Sequence, residues 1–363
     1  MTSTTNQTTN QTTDTPLRPW SAARGAVGGT AAICPEATYG DEAAEYAALR
    51  EGAGLWDAGA WGVFRFAGPS RLSFLHKYCT QDVKDLAPGA GAYGCCLTVK
   101  GGMVTDLRAL AREDDALVLV TPAGRAPLPQ HLTKFALFDK VTIAPADDLT
   151  LLGLHGPRAA AVAAAALGAP APEGPPWTHA AVPWSGGPVQ VAVAPLGGVA
   201  GLHLVVARDA APALADALVA AGARPVGSAA LEQVRVEEGV PLFGVDLDER
   251  TIPIEAGLEA QAISFSKGCY LGQEVIARIA HRGHVNRVLA AVRLAGDPAA
   301  AQVPLLRDGK EVGAVTTWAR SPRAGAAVGL GLLHRKHADP GTPLEAGAGG
   351  PTATVVTLPV SPA

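Results

Sequence analysis

The sequence contains few cysteines, and they show none of the spacings that mark disulfide frameworks or metal sites. There are five in 363 residues, at irregular intervals: Cys34, Cys79, Cys95, Cys96 and Cys269. Because no Cys-x-x-Cys pair occurs, we predict no metal site and no stably bound iron–sulfur cluster. An odd, unpatterned set of thiols suits a reducing compartment, so we expect a cytoplasmic protein. The adjacent Cys95 and Cys96 are expected to pack on opposite faces of one strand.

Long hydrophobic runs and an excess of charge of one sign are also missing. No stretch approaches the length of a membrane span, and the net charge of −4 gives no overall argument for nucleic-acid binding. The N-terminal segment is rich in Thr, Gln and Asn and lacks the apolar core of a signal peptide. Because it has almost no apolar surface to bury, we predict a disordered tail over residues 1–24.

The remaining chain alternates short strands with helices, which predicts an α+β architecture rather than a doubly wound parallel sheet. We place this region at residues 25–284. Its predicted helices include 70–78, with Ser70 as the N-cap, and 128–136. Beyond it, apolar runs separated by Asp-Gly, Ser-Pro and Pro-Gly turns predict a small all-β domain over residues 285–363.

Residues 266–278 contain the strongest chemical signal. They place Cys269 two residues after Lys267, at the predicted start of a helix. The positive end of the helix dipole and a neighbouring ammonium both favour the thiolate, the reactive form of cysteine. The sequence therefore predicts an activated thiol that serves as a nucleophile or redox partner. The alternative is a cysteine that only packs under the loop.

The same segment resembles the signature of the YgfZ family, through Lys267-Gly268-Cys269-Tyr270-x-Gly272-Gln273-Glu274 and then Ala277-Arg278. YgfZ proteins bind folate, are linked to iron–sulfur cluster assembly and repair, and are relatives of the glycine-cleavage T-protein, an aminomethyltransferase. The resemblance continues through 101–107, 235–246, 252–258 and the C-terminal region. It implies a ring of two intertwined α+β subdomains with folate in the central hole, followed by a small β-barrel.

The resemblance also implies roles for individual residues, with tetrahydrofolate as the cofactor. The candidate catalytic residues are Cys269 and Asp106, which corresponds to the catalytic carboxylate of T-proteins. A carboxylate there can take up or orient a proton during one-carbon transfer, whereas an aspartate bonding a neighbouring turn is the alternative. For Arg235, helix spacing equally predicts an ion pair with Glu232 or Glu238. The candidate cofactor-binding residues are Arg235, Lys267, Tyr270, Gln273 and Arg278.

Two positions depart from the T-protein pattern. Val199 lies where T-proteins have the glutamate that holds the pterin, and Thr121 replaces an expected asparagine. An apolar side chain cannot accept the pterin N–H groups, and each unpaired donor costs on the order of 1–3 kcal/mol. These departures argue against ordinary aminomethyltransferase activity, and they leave the affinity for folate open.

Three functions are compatible with these observations. The first is a YgfZ-type folate-binding protein that supports iron–sulfur enzymes or assembly proteins through folate and Cys269. The second is a tetrahydrofolate-dependent aminomethyltransferase with Asp106 as the polar catalyst. The third is a module that binds tRNA or a partner protein through a basic rim. The rim would comprise Lys267, Arg278, Arg282, Arg287 and Arg293. No membrane partner is expected.

Overall fold

The structure of the protein is a computed structural model that describes residues 15–29 and 33–362, without the side chain of Arg282. The helices are α1 (Arg18–Ala22), α2 (Glu42–Glu51), α3 (Arg71–Tyr78), α4 (Pro127–Leu132), α5 (Ala159–Leu167), α6 (Ala211–Ala220), α7 (Ser228–Glu238), α8 (Glu259–Ala262) and α9 (Gln273–Arg282). The first strands are β1 (Val27–Gly28), β2 (Glu36–Thr38), β3 (Gly54–Asp57), β4 (Gly62–Ala67), β5 (Gly91–Leu97), β6 (Met103–Ala111), β7 (Asp115–Val120), β8 (Thr142–Pro145), β9 (Leu149–His155), β10 (His179–Val182), β11 (Val189–Val193), β12 (Gly201–Ala207) and β13 (Arg224–Pro225). The C-terminal strands are β14 (Arg287–Leu294), β15 (Val303–Arg307), β16 (Lys310–Ser321), β17 (Ala326–His334), β18 (Pro343–Ala346) and β19 (Thr352–Val356).

Two sheets, built from alternating parts of the chain, form the first region. Sheet I has five strands in the order β5-β6-β7-β4-β8, and sheet II has six in the order β10-β11-β12-β9-β3-β13. The chain enters sheet II with β3, builds all of sheet I, and returns to sheet II from β9 onward. The two subdomains are therefore intertwined. The predicted α+β class is confirmed, since nearly all neighbouring strands pair antiparallel and the β13–β3 pair is parallel.

Strand β7 shows why sheet I is buried on both faces. Each of its residues is buried, and its apolar side chains alternate between two cores. Val118 and Val120 pack beneath α3 and α4, whereas Leu117 and Leu119 face sheet II. A continuous apolar run is typical of a strand that is covered on both sides. Sheet II is covered on its outer face by α5 and α6.

The C-terminal strands form a closed barrel in the order β14-β17-β16-β15-β18-β19, which confirms the predicted β-barrel. Its interior is apolar, with side chains such as Leu305 and Leu333 that are fully buried. The outside of β17 packs on α7, where Val236 contacts the cluster that includes Leu330. The barrel is also bonded to α7 by Ser321, whose Oγ donates to Glu237 at 2.6 Å. Helix α7 therefore links the barrel to the two sheets.

Three local predictions differ from the structure. The disorder predicted for residues 1–24 is wrong over residues 15–24, because Leu17 and Trp20 are buried against sheet II and stabilise α1. Residues 1–14 lie outside the described part of the chain. The helix predicted over 128–136 ends at Leu132 and continues as a 3-10 helix to Phe138. Ser70 precedes α3 without a side-chain capping bond.

The prediction for the two adjacent cysteines is confirmed. Cys95 and Cys96 are buried in different clusters on the two faces of β5. Asp41 caps α2 by accepting a bond from the Ala44 amide at 3.0 Å, next to the acidic first turn of that helix. Within the described ranges, no helix is long and apolar enough to cross a membrane.

Candidate functional site

A cavity of about 680 Å³ lies between the two sheets. Sheet I contributes β5 and β6, and sheet II contributes β3, β9 and β12. Other parts of the wall come from the end of α7 and from loops that include residues 81–82, 176–177, 194–197, 239–242 and 256–258. Four large aromatic side chains line it: Trp56, Trp61, Tyr93 and Trp177. The cavity therefore lies at the junction of the two subdomains, with flat apolar walls suited to a planar ligand.

Arg108 is the most unusual group in this wall. It lies on β6, and its guanidinium carbon is 5.0, 4.8 and 5.8 Å from the ring centres of Trp61, Tyr93 and Trp177. Its Nη2 is 2.9 Å from Asp106 Oδ2. Its Nε and Nη1 are buried and have no hydrogen-bond partner among the described atoms. Burial lowers the pKa of Arg108, but the nearby Asp106 outweighs it, so the pKa is raised and the charge is retained.

The predicted catalytic residue Asp106 lies directly behind Arg108 and Tyr93. It is 1% exposed, and its Oδ2 accepts a hydrogen bond from the Tyr93 hydroxyl at 3.1 Å. Its Oδ1 is buried without a partner in the described structure. Burial, followed by the charge of Asp106, raises the pKa of Tyr93 well above its ordinary value. Asp106 thus lies beside the cavity, and its catalytic role stays a prediction.

Two buried histidines complete the aromatic wall. His155 accepts a bond from Trp56 Nε1 at 3.0 Å and donates through Nε2 to the Ala194 carbonyl at 2.9 Å. Burial lowers the pKa of His155 to about 4, despite that carbonyl. Burial, His155 and Arg108 lower the pKa of His203 well below its usual range, and its buried Nδ1 has no partner among the described atoms. Both rings are therefore neutral at neutral pH.

Arg235 also reaches the cavity wall, but most of its donors are already used. Its Nη1 donates to Asp246 Oδ2 at 2.6 Å and to the Val240 carbonyl at 2.7 Å, and both Nε and Nη2 donate to Glu232. The ion pair with Glu232 is confirmed, whereas Glu238 pairs with Arg50 and Arg323. A folate contact for Arg235 stays a prediction.

Comparison with known proteins agrees with this geometry. Residues 20–267 match the GCVT N-terminal domain, and residues 287–361 match the glycine cleavage T-protein C-terminal barrel domain. The chain belongs to the glycine-cleavage T-protein family.

Relatives of this T-protein family member span most of its length. It is 31% identical to an aminomethyltransferase of Rubrobacter xylanophilus over 81% of this chain and 80% of the relative. It is 30% identical to an aminomethyltransferase of Methylococcus capsulatus, over 80% and 81% of the two chains. The crystal structure of glycine cleavage system aminomethyltransferase T from Bartonella henselae superposes with a TM-score of 0.85, at 24% identity, covering 95% of this chain and 96% of that one. The likeness to the Bartonella henselae structure shows the fold alone. The narrower YgfZ assignment stays a prediction.

Val199, the residue at the expected glutamate position of the T-protein pattern, is buried in the core between the sheets. It closes a turn with Leu196, and the amide of Gly198 in that turn donates to Glu238 Oε2 at 2.9 Å. Glu238 and Gly197 both line the cavity. A carboxylate from α7 is therefore present at this turn, although the turn itself provides none.

Lys267 and Tyr270, predicted to bind the cofactor, pack into the protein instead of lining the cavity. The Lys267 ammonium donates to the carbonyls of His76, Cys79 and Gln81 at 2.7, 2.7 and 2.9 Å, which satisfies all three of its protons. Tyr270 is 7% exposed and packs with Leu97 and Met103 of sheet I. The segment therefore fixes the loop after α8 to the C-terminal end of α3.

The predicted position of Cys269 at a helix N-terminus is wrong. Helix α9 begins at Gln273, after Gly272 in a left-handed conformation, because Lys267 and Tyr270 hold the intervening loop against sheet I. The Lys267 ammonium has no proton left to bond the thiolate. Cys269 is nevertheless exposed, whereas the other four cysteines are buried. Its catalytic role, and the cofactor-binding roles of Gln273 and the exposed Arg278, stay predictions.

The basic rim is smaller than predicted. Lys267 is buried, and Arg287 pairs with Glu255 at 2.8 Å. This leaves fewer cations free to contact phosphate, which weakens the argument for a nucleic-acid surface.

Sequence reasoning missed Arg108 and the aromatic residues around it. A signal was present on β6, where Asp106, Arg108 and Leu110 share the face toward sheet II, while Leu107 and Ala109 face the opposite core. Charged residues alternating with core residues on a central strand indicate a polar site. Within the described ranges, no group of three or more His, Cys, Asp or Glu side chains is arranged to hold a metal ion.

Proposed function

We propose that the cavity binds tetrahydrofolate and that the protein acts in one-carbon transfer as an aminomethyltransferase-like enzyme. The observation that carries this proposal is the large aromatic-lined cavity at the junction of the two subdomains. Aminomethyltransferases of this family use tetrahydrofolate, which accepts a one-carbon unit on its nitrogen atoms. The match to the family extends across both regions of the chain.

The residues present fit a reduced folate. Trp56, Trp61 and Trp177 offer flat faces for its rings, since aromatic side chains favour stacked or edge contacts with planar groups. Glu238 pairs with Arg50 and Arg323 through Oε1, so Oε2, which accepts one bond from the Gly198 amide, is the atom that would accept a pterin N–H at the turn where T-proteins carry their glutamate. Arg108 and His203 provide polar atoms that lack partners. Asp106 would orient a proton near the site of transfer.

The first test is binding followed by turnover. Titration with folinic acid, a stable reduced folate, should change the fluorescence of the cavity tryptophans with saturation. Trp177→Phe should reduce the change, whereas Trp184→Phe, outside the cavity wall, should reduce it less. Aminomethyl transfer from a loaded carrier protein to tetrahydrofolate should then depend on Asp106 and be lost in Asp106→Asn. Binding without any transfer would contradict the enzymatic part, and the absence of binding would contradict the whole proposal.

A second candidate function is the YgfZ-type support of iron–sulfur enzymes. The observation that favours it is the exposure of Cys269 on a rigidly held loop away from the cavity wall, while the other cysteines are buried. Deleting the gene should lower the activity of several iron–sulfur enzymes, and the wild-type gene but not Cys269→Ala should restore them. Normal activities in the deletion strain would exclude this function. Full rescue by Cys269→Ala would exclude the role of the thiol.

A further inference from the structure

We propose that Arg108 is the specificity-determining residue of the cavity and recognises a carboxylate group of the bound ligand. This inference rests on the proposed function and deepens it, because it concerns the ligand of the same cavity. The proposal begins from an energetic imbalance. The guanidinium is almost completely buried, with 12% of its side chain exposed, yet two of its three nitrogens have no partner among the described atoms.

The surroundings of Arg108 keep it charged without satisfying it. Asp106 neutralises part of the charge through Nη2, and the faces of Trp61, Tyr93 and Trp177 add cation–π attraction. Neither accepts a hydrogen bond from Nε or Nη1 in the described structure. Buried charged donors that lack acceptors are costly, so a site of this kind favours a ligand that supplies them.

The geometry restricts what that ligand group can be. Asp106 fixes the orientation of the guanidinium, and Tyr93 fixes Asp106 by donating to the same Oδ2. The remaining donors lie among the aromatic rings of Trp61, Tyr93 and Trp177 and near the neutral His203. Nε and Nη1 donate from different edges of the guanidinium, so an anionic group with oxygen acceptors, such as a carboxylate, would accept a hydrogen bond from one of them. A purely apolar or cationic ligand would leave Arg108 unsatisfied.

Two sources of the carboxylate share this chemistry. One is the glutamyl part of a folate, and the other is a small carboxylate-bearing amine that binds beside the folate as the second substrate. In both cases Arg108 binds the ligand directly, whereas Asp106 positions Arg108.

The experiment compares three probes: folinic acid, which has a pterin and carboxylates; tetrahydrobiopterin, which has a reduced pterin and no carboxylate; and N-methylglycine, a small amino carboxylate. Binding is measured by calorimetry for wild type and Arg108→Gln. The matched control is Arg112→Gln, which removes an arginine that follows the same strand, pairs with Asp115 and lies outside the cavity wall. Because Arg108→Gln leaves Asp106 unpaired and can impair folding, the double variant Asp106→Asn/Arg108→Gln is measured as well.

We expect Arg108→Gln and the double variant to lower the affinity for the carboxylate probe by roughly ten- to a hundredfold, as for a lost charge-assisted hydrogen bond. The affinity for tetrahydrobiopterin should not change. If the variants bind folinic acid more weakly, the carboxylate belongs to folate. If only the binding of N-methylglycine is weaker, the carboxylate belongs to the second substrate. Equal affinities in wild type and both folded variants for all probes would overturn the inference while leaving the proposed function intact. If neither folinic acid nor tetrahydrobiopterin binds wild type, the proposed function fails instead.

Discussion

Replacing Arg235 by methionine should destabilise the protein strongly, because this arginine joins three parts of the structure. Its guanidinium is 1% exposed and pairs with Asp246, whose side chain is completely buried. The second oxygen of Asp246 accepts bonds from Thr316 and Thr317 of the barrel, at 2.5 and 2.8 Å. Arg235 therefore neutralises the carboxylate that connects α7, the following loop and the barrel.

The magnitude follows from the burial of the pair. Removing one partner leaves an uncompensated buried charge, which typically costs about 3–5 kcal/mol. The proximity of Asp246 and Glu232 outweighs the opposing effect of burial and raises the pKa of Arg235 above its ordinary value, so the side chain stays charged at any usable pH. By contrast, Arg320 is 74% exposed in its pair with Asp297, and loss of an exposed pair costs only about 0–1 kcal/mol.

The assay is urea unfolding followed by circular dichroism, with Arg320→Met as the matched control. Arg235→Met should lower the free energy of unfolding by about 3–5 kcal/mol, and Arg320→Met by less than about 1 kcal/mol. If both substitutions lower the free energy of unfolding by the same small amount, the reasoning is refuted, and a ligand contact becomes the better explanation of Arg235. Weakened folinic acid binding by a fully stable Arg235→Met protein would point the same way.

Three further predictions concern other parts of the chain. Burial raises the pKa of Asp57 to about 6, so between about pH 4 and 6 the native state holds a proton that the unfolded chain releases. The free energy of unfolding should therefore fall as the pH rises through this range, by at most about 3 kcal/mol. Melting curves of Asp57→Asn measured across the same pH range should lack this fall. Brief alkylation at neutral pH should label Cys269 before the four buried cysteines, and mass spectrometry that finds it labelled last would contradict the structure. Lys267→Met should cost about 2–4 kcal/mol in urea unfolding because it leaves three carbonyls unpaired, whereas the exposed Lys310→Met should cost almost nothing; similar effects would count against this role.

Much of the fold was predictable because its main signals are local. Apolar alternation and turn residues predicted an α+β region followed by a small all-β domain, which agrees with the two sheets and the barrel. The end of the helix at Leu132 and the packing of Trp20 were not predictable in the same way. They depend on contacts with residues distant in sequence, such as the bond from Trp20 Nε1 to Asp216 at 2.7 Å.

The candidate site was predicted less completely. The resemblance singled out Asp106 and Arg235; the structure has Arg235 in the cavity wall and Asp106 next to Arg108, and the roles of both stay predictions. Lys267 does not line the cavity, since the direction of a loop side chain depends on which carbonyls the fold brings near it. Arg108 was missed because the alternation of charged and core residues on β6 does not by itself show what surrounds the arginine, which only the packing around Trp61 and Trp177 reveals.

The most direct test of the central claim is a calorimetric titration of the intact protein with folinic acid, compared with Ala260→Trp. Ala260 is an exposed residue of the cavity wall, so a tryptophan there should obstruct the cavity without disturbing the core. The matched control is Ala280→Trp on α9, also exposed and outside the wall. The account predicts one binding site per chain in wild type and Ala280→Trp, and strongly weakened binding in Ala260→Trp. Absence of binding in wild type, or equal binding by all three proteins, would contradict it.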